Sequence, residues 1–406
     1  MKRHLNTNEH DTNEHDTTND RPTELVRSWA SDIEDNTLEQ AMRSARSDAV
    51  SGPIALMPDA HWGMGATVGS VIPTESAIIP AAVGVDIGCG MIAVETDLTA
   101  SDLPDNLGPV LRGIGKAVPA GFDRHQHPTD RANTWLRDHP LDTEIELTTK
   151  QVRSMAQQLG SLGGGNHFVE VSVDENDVVW IVLHSGSRGI GNILAKAHIS
   201  RARDLCETTE RALEDRDLAY FLDSDPGFQA YIRDMLWAQD YALENREQMM
   251  DAVLAATGAA VGRTLAERRR INCHHNYTER ENHGGRPLWI TRKGAIRARI
   301  GDAGVIPGSM GTSTFVVSGR GNPDAYESAA HGAGRRYGRK AAKRTFTVEE
   351  FEASMTGRMW QRSKAKELLD ESPMAYKNID EVMNDQADLV QVEHRLDAIV
   401  NYKGVS

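Results

Sequence analysis

The sequence predicts strands and helices in separate blocks, with strand-and-loop segments on both sides of one long helical region. Three observations carry this reading. From Pro53 to Thr96, short apolar runs (Ile54 to Met57, Val68 to Ile72, Ile92 to Val94) are divided by Gly and Pro, the chemistry of strands and turns. Between about Ile193 and Arg270 the chain is rich in Ala, Leu, Glu and Arg and reads as helical. Glycine-rich strand and loop sequence returns from 284 to 322. The middle block, about 193–270, is therefore expected to be a helical insertion between two parts of one site-bearing core. A length of 406 residues fits one large domain or two ordinary ones.

Taken in order, residues 1 to about 22 are polar and carry a tandem Asn-Glu-His-Asp-Thr repeat at 8–12 and 13–17. Such a segment lacks the apolar surface to fold and is expected to be a disordered tail. Order is expected from about residue 23, with a helix over Leu38 to Ser47. Residues 101 to 148 are mixed, with a polar loop around His125 and His127. A helix from about Lys150 to Leu159 leads into Gly163-Gly164-Gly165-Asn166-His167. Phe168 to Val173 and Val178 to His184 read as strands, the second almost continuously apolar and so buried. Asp225-Pro226-Gly227 splits the helical block into two or more helices. Helical segments are expected again from about 324 to 370, before the final stretch Leu389 to Lys403.

Hydrophobic residues at 39% and charged residues at 26% suit a soluble globular chain. No apolar run is long enough to span a bilayer, and no apolar segment follows Met1-Lys2-Arg3 as in a secretory signal. Three cysteines, Cys89, Cys206 and Cys273, make no disulfide framework, so a reducing, cytoplasmic setting is expected. A net charge of −14 argues against coating nucleic acid by bulk electrostatics but leaves room for a local basic groove. Arg335, Arg336, Arg339, Lys340, Lys343 and Arg344 offer one candidate, although the same run reads equally as a solvated helix face.

The chemistry concentrates in Val83 to Gly90. Asp86 and Cys89 lie three apart among glycines at 84, 88 and 90, a tight loop that can project a carboxylate and a thiolate toward one point. The alternative is a buried Cys in a turn that Asp86 caps. His167 follows the triple glycine, His184 ends a buried strand, His274 and His275 are paired, and His331 sits in Ala330-His331-Gly332-Ala333-Gly334-Arg335. Each lies where a regular element meets a loop. One tetrahedral zinc does not use so many donors, and a pair of metals sharing a bridging ligand fits the surplus better. Pro307 to Thr314 supplies hydroxyls and open amides for phosphate, or else is an ordinary loop. There is no Walker A pattern. Pro58-Asp59-Ala60-His61-Trp62-Gly63 reads as turn-capping structural support.

Taken together, Pro58 to His61, Val83 to Gly90, Gly163 to Phe168, Leu183 to Arg188, His274-His275-Asn276, Pro307 to Gly311 and His331 to Arg335 resemble the RtcB family of RNA ligases. The resemblance runs over roughly residues 50 to 404, with the motifs in order. It implies a single α+β domain, here 23–406, with a sheet-rich core and surrounding helices. It implies a ligase, using GTP and two manganese ions, that joins RNA 3′-phosphate or 2′,3′-cyclic phosphate ends to 5′-hydroxyl ends in RNA repair or tRNA splicing. A histidine–GMP intermediate and an RNA-ppG end are the implied stages, and an accessory activator is a possible partner. By the same resemblance Asp86, Cys89, His167, His184 and His275 match the metal ligands, Cys89 as the bridge. His331 matches the guanylylated histidine. Asn166, Glu170, Ser309 and Lys403 match guanylate-binding positions, and Arg188 and Arg335 match phosphate-contacting arginines. Met64 stands where some members have lysine, and the N-terminal repeat is outside the family pattern. The competing readings are a two-metal phosphohydrolase or cyclic phosphodiesterase without GTP, and a scaffold with a structural metal.

Overall fold

A computed structural model describes residues 25–405 and, before them, the backbone of Arg3–His4, which pairs antiparallel with Val26–Ser28. The remainder of the expected tail, including its histidines, lies outside the described residues. The chain folds as an α+β structure in which two sheets meet edge to edge around the Val83–Gly90 loop.

The larger sheet orders its strands Glu267–His274, Gly90–Thr99, Val178–Ser185, Phe168–Val173, Val390–Lys403, Thr314–Gly319 and Ala303–Pro307, and the two-residue strand Met359–Trp360 pairs with Val390–Lys403. Its first and last main strands lie against each other, so the sheet curls into a nearly closed barrel. Period-two alternation sorts the side chains. Met91, Ala93, Trp180, Val182, Ile271, Val305, Val316 and Leu396 fill the interior. Their neighbours Ile92, Val94, Val169, Val171, Ile181 and Leu183 face outward, onto Val110 and Ile114 of the helix Gly108–Ala117 and Met249, Met250 and Val253 of the helix Pro226–Val261. Val178 to His184 reads as continuously apolar because both faces of that strand are covered.

The Pro226–Val261 helix is the main element of the middle block. Pro226 occupies its first turn, and Gly262 at φ +80° ends it with an amide that donates to the Gly258 carbonyl. Arg188–Thr208 is the other long helix, and the break between them is wider than the expected interruption at Asp225-Pro226-Gly227, running from Thr209 to Asp225 with a 3-10 turn and a two-residue strand in it. The helices at Asp35–Ala45 and Thr149–Gln158 lie close to their expected positions. The stretch 324–370 departs from expectation. It holds only two short helices, Arg339–Thr345 and Val348–Ser354, among 3-10 turns and short strands. Its glycines at 332, 334, 338 and 357 deny it a longer helix, and Gly334 at φ +72° and Gly357 at φ +82° take a conformation that breaks one.

The second sheet orders Val26–Ser28, Ile54–His61, Val68–Thr74, Arg286–Lys293 and Asn276–His283. Asp59 and His61, read from sequence as part of a capped turn, therefore lie on a strand. A buried ion pair, Arg292 with Glu281, braces its far end, and Ser328 Oγ accepts from Arg292 Nε at 2.9 Å.

One buried acid in the barrel gives a stability prediction. Asn401 Nδ2 donates to Glu170 Oε1 at 2.6 Å, and burial pushes the Glu170 carboxyl up to about 8 against the opposing charge of Lys403. Below the ordinary value of 4.5 both folded and unfolded chains hold this proton. As pH rises toward 8 the unfolded chain ionises first, so the native state loses stability until its own carboxyl ionises. Glu170→Gln should gain on the parent in urea midpoint from pH 5 to pH 8 and level off above it. A pH-independent difference would contradict this.

Candidate active site

The site forms where the two sheets meet. His275 is the single residue between the barrel strand Glu267–His274 and the edge strand Asn276–His283 of the other sheet. Its amide donates to the Cys89 carbonyl at 2.8 Å, and Gly88 N donates to Asn276 O at 2.6 Å, tying the Val83–Gly90 loop to the crossing. Asp86 packs so closely under Gly186 that a Cβ there would come within 2.2 Å of its Oδ1, so only glycine fits.

All five expected ligands converge. Cys89 Sγ is 3.2 Å from His184 Nε2 and 3.4 Å from His167 Nε2. His184 Nε2 lies 3.2 Å from His275 Nε2, and His167 Nε2 lies 3.1 Å from Asp86 Oδ2. The donors form two groups able to hold a cation, Cys89 with His184 and His275, and Asp86 with Cys89 and His167. Cys89 belongs to both. His184 Nδ1 faces the Asn166 carbonyl at 3.1 Å, which keeps the ring proton there and turns the Nε2 lone pair inward. Burial first, and neighbouring imidazoles second, hold His184 and His275 well below the usual histidine range, so both are neutral donors. Burial, with the Asp86 charge, pushes the Cys89 thiol up. A soft thiolate, neutral imidazoles and a carboxylate around two adjoining points suit a pair of transition-metal ions.

His331 stands beside this centre, its ring 4.7 Å from that of His275. It follows the short strand Ser328–Ala330 and opens no helix. Behind it, His331 Nδ1 lies 2.6 Å from Oδ2 of Asp59, which is fully buried. The two atoms are within ion-pair distance but are not aligned for a hydrogen bond. The sequence reading had given Asp59 a capping role. The available signal was the place of Pro58 to His61 among the motifs that carry the family resemblance.

A cavity opens from His331, lined by Asn166, Phe168, Glu170, Ser309, Arg335, Arg339, Tyr376 and Lys403 among others. Arg339, Lys403 and Arg335 converge on the buried Glu371, with Lys403 Nζ at 2.8 Å and Arg339 Nη1 at 2.7 Å. Burial raises that carboxyl, but the three cations outweigh it and hold it at about 2. With Asp370, which pairs with Arg339 and Lys343, four cations face two carboxylates and leave this wall cationic, as a polyphosphate requires. Arg335 spends its donors on Glu371, Tyr376, Tyr337 O and Asp370 O. Arg188, at φ +58°, donates to Gly121 O at 3.0 Å and Ser161 Oγ at 3.3 Å, on the other side of His167. In the loop after Pro307 the amides of Gly308, Ser309 and Thr312 bond within the loop.

These features match known proteins. The family model described as tRNA-splicing ligase RtcB matches residues 40–404. The chain belongs to the RtcB ligase family. RNA-splicing ligase RtcB of Escherichia coli K12 is 43% identical over 400 residues, covering 93% of this chain and 97% of that protein. RNA-splicing ligase RtcB of Mycobacterium tuberculosis is 30% identical, covering 80% and 90%, and the tRNA-splicing ligase RtcB of Nanoarchaeum equitans is 28% identical, covering 91% of each. Among the described residues no helix is long and apolar enough to cross a membrane.

Sequence reasoning missed what holds this RtcB site together. Asn245 and Arg246, adjacent on the Pro226–Val261 helix, are fully buried. Arg246 donates to Gly88 O at 2.7 Å and Ser185 O at 3.0 Å, and lies 3.2 Å from His274 Nδ1. Asn245 donates to Gly186 O at 3.1 Å and accepts from Gly160 N at 2.8 Å. His274 thus faces the helix, away from the ligand cluster.

Two predictions follow from this geometry. Cys89→Ser replaces the shared sulfur with a hydroxyl that resists ionisation. It should weaken manganese binding in calorimetry by about tenfold or more, with the thermal transition of the metal-free protein retained. Arg246→Met removes the donor to Ser185 O and Asn272 Oδ1 and leaves Gly88 O to His274 Nδ1 alone, and should cost about 1–3 kcal/mol in urea unfolding. Unchanged stability would show that those carbonyls find other partners.

Proposed function

We propose that this chain is a GTP-dependent RNA ligase that joins 3′-phosphate or 2′,3′-cyclic phosphate ends to 5′-hydroxyl ends. The observation that carries this is the placement of His331. It is backed by a buried carboxylate, borders a paired metal-ligand set, and faces a cavity with a cationic wall. A hydrolase with the same ligands would have no use for such a histidine beside a nucleotide-sized cavity.

In this reading water opens any cyclic phosphate to a 3′-phosphate. His331 Nε2 then attacks the α-phosphorus of GTP, pyrophosphate leaves, and a phosphoramidate retains the reactive bond. Asp59 stabilises the charge that develops on the ring. The 3′-phosphate displaces the histidine to give RNA-ppG, converting a poor electrophile into an anhydride with a good leaving group. Attack by the 5′-hydroxyl releases GMP. Asp86, Cys89, His167, His184 and His275 would hold two ions, with manganese the expected species. Such ions neutralise phosphate charge when bound. Asn166, Glu170, Ser309 and Lys403 would hold the guanylate, and Arg188 and Arg335 would exchange part of their present protein contacts for the phosphates. RNA repair or tRNA splicing in the cytoplasm is the matching role, with or without an activator protein.

Incubation with labelled GTP and manganese should place an acid-labile GMP on the protein, which neither a hydrolase nor a scaffold would acquire. His331→Ala should abolish that adduct and the ligation of 3′-phosphate ends, while still joining presynthesised RNA-ppG to a 5′-hydroxyl. An adduct that survives in His331→Ala would move the role to another histidine; His274, first in order from the sequence, faces the helix, so His61, which lines the same cavity, would come first.

A further inference from the structure

The helix Pro226–Val261 presents two unlike faces. Its inner face carries Asn245 and Arg246 to the ligand loops, and its outer face carries Leu236 and Leu243, 45% and 39% exposed. The two leucines are two turns apart and so lie in line along the surface. The exposed Asp240 stands between them, with Trp237 one turn before it on its other flank. From the helix Asp130–Asp138 alongside, the half-buried Trp135 meets the Trp237 ring at 5.8 Å, and His139 stacks on Trp135 at 4.6 Å. Single exposed apolar side chains are ordinary, but two leucines and two tryptophans gathered around one carboxylate mark a docking surface.

The charges decide what docks. Along this face Arg233, Glu244 and Glu247 are already paired within the chain, with Asp142, Arg131 and Arg270. Asp240 is different. Among the described residues it makes no hydrogen bond and no ion pair. Burial pushes its carboxyl up from the ordinary value, opposed only by His139. A partly desolvated carboxylate beside tryptophan faces complements a guanidinium, which pairs with the acid and stacks on the ring. A nucleic acid fits poorly, because its phosphates would meet Asp240 while the arginines nearby are engaged.

We propose that this face docks a basic amphipathic helix of a partner protein, with one arginine of that helix on Asp240 beside Trp237 and its leucines on Leu236 and Leu243. The spacing favours a helical partner, since a helix laid along a helix offers its side chains at matching intervals of three and four residues. Arginine and tryptophan are also the side chains in which interface energy concentrates. The contact lies on the face of the helix away from Asn245 and Arg246, so docking leaves the ligand cluster in place.

The probe is a fluorescently labelled alanine-based peptide of about 18 residues, long enough to be helical, that carries Leu-x-x-x-Arg-x-x-Leu. Titrated with the intact protein and followed by anisotropy, it should bind saturably. Citrulline in place of the arginine keeps the shape and removes the charge, and should weaken binding about tenfold. Asp240→Asn should weaken the arginine peptide by a similar factor, with the thermal transition retained. No binding, or equal binding of the arginine and citrulline peptides, would overturn the proposal. If Asp240→Asn loses its thermal transition, the citrulline comparison decides, because it needs only the parent protein. An RNA oligonucleotide that displaces the peptide would overturn the proposal in favour of a nucleic-acid surface. A dimer in sedimentation that Leu243→Asp dissolves would overturn it in favour of a second copy of the chain.

Discussion

The structure depends on a pair of side chains that touch none of the proposed substrates. Asn245 and Arg246 enter the interior from one helix and bind the backbone at Gly88, Gly160 and Ser185–Gly186, and Arg246 meets the side chains of Asn272 and His274 beside His275. Burying a guanidinium is expensive unless its donors are met. Here Gly88, Ser185, Asn272 and His274 meet them. That cost is bearable because the loops need the same contacts. Glycine-rich segments have little side-chain packing to fix them, and a rigid helix supplies fixed donors in its place.

Around this anchor the site divides its electrostatics. His184 and His275 are kept neutral by burial and by neighbouring imidazoles. The wall a short distance away is kept charged by three cations that share Glu371. Neutral donors favour a cation and a cationic wall favours an anion, so one cavity can hold a nucleotide and its metals without either being placed against like charge. Asp59 adds a fixed negative charge at the single histidine that lies between the two regions.

Much of this was legible in the sequence. Phe168 to Val173 and Val178 to Ser185 are strands within a residue of expectation, because β-branched runs bounded by glycine allow little else. The histidines were legible as candidates because each sits where a regular element meets a loop, and the family resemblance then separated the five converging donors from His274 and His331. Asp59, Glu371, Asn245 and Arg246 were not. A charged residue in a long helix reads as solvated, and only the barrel packed against that helix makes Arg246 interior. The stretch from 324 to 370 was misread for a related reason: its alanines and charges favour helix, but its glycines and its role as cavity wall hold it in short turns.

His275 carries a consequence for how this protein is made. As the sole residue between the last strand of the barrel and the edge of the second sheet, it reaches Cys89 only after both sheets have formed and met. Partners so distant in sequence assemble late, because loop closure is costly before the contacts reward it. A nascent chain that has exposed only Asp86, Cys89, His167 and His184 still lacks the helix that holds their loops. The complete ion-binding centre is therefore a property of the finished fold, and an unfinished chain offers the cell's metal pool scattered side chains instead of a trap.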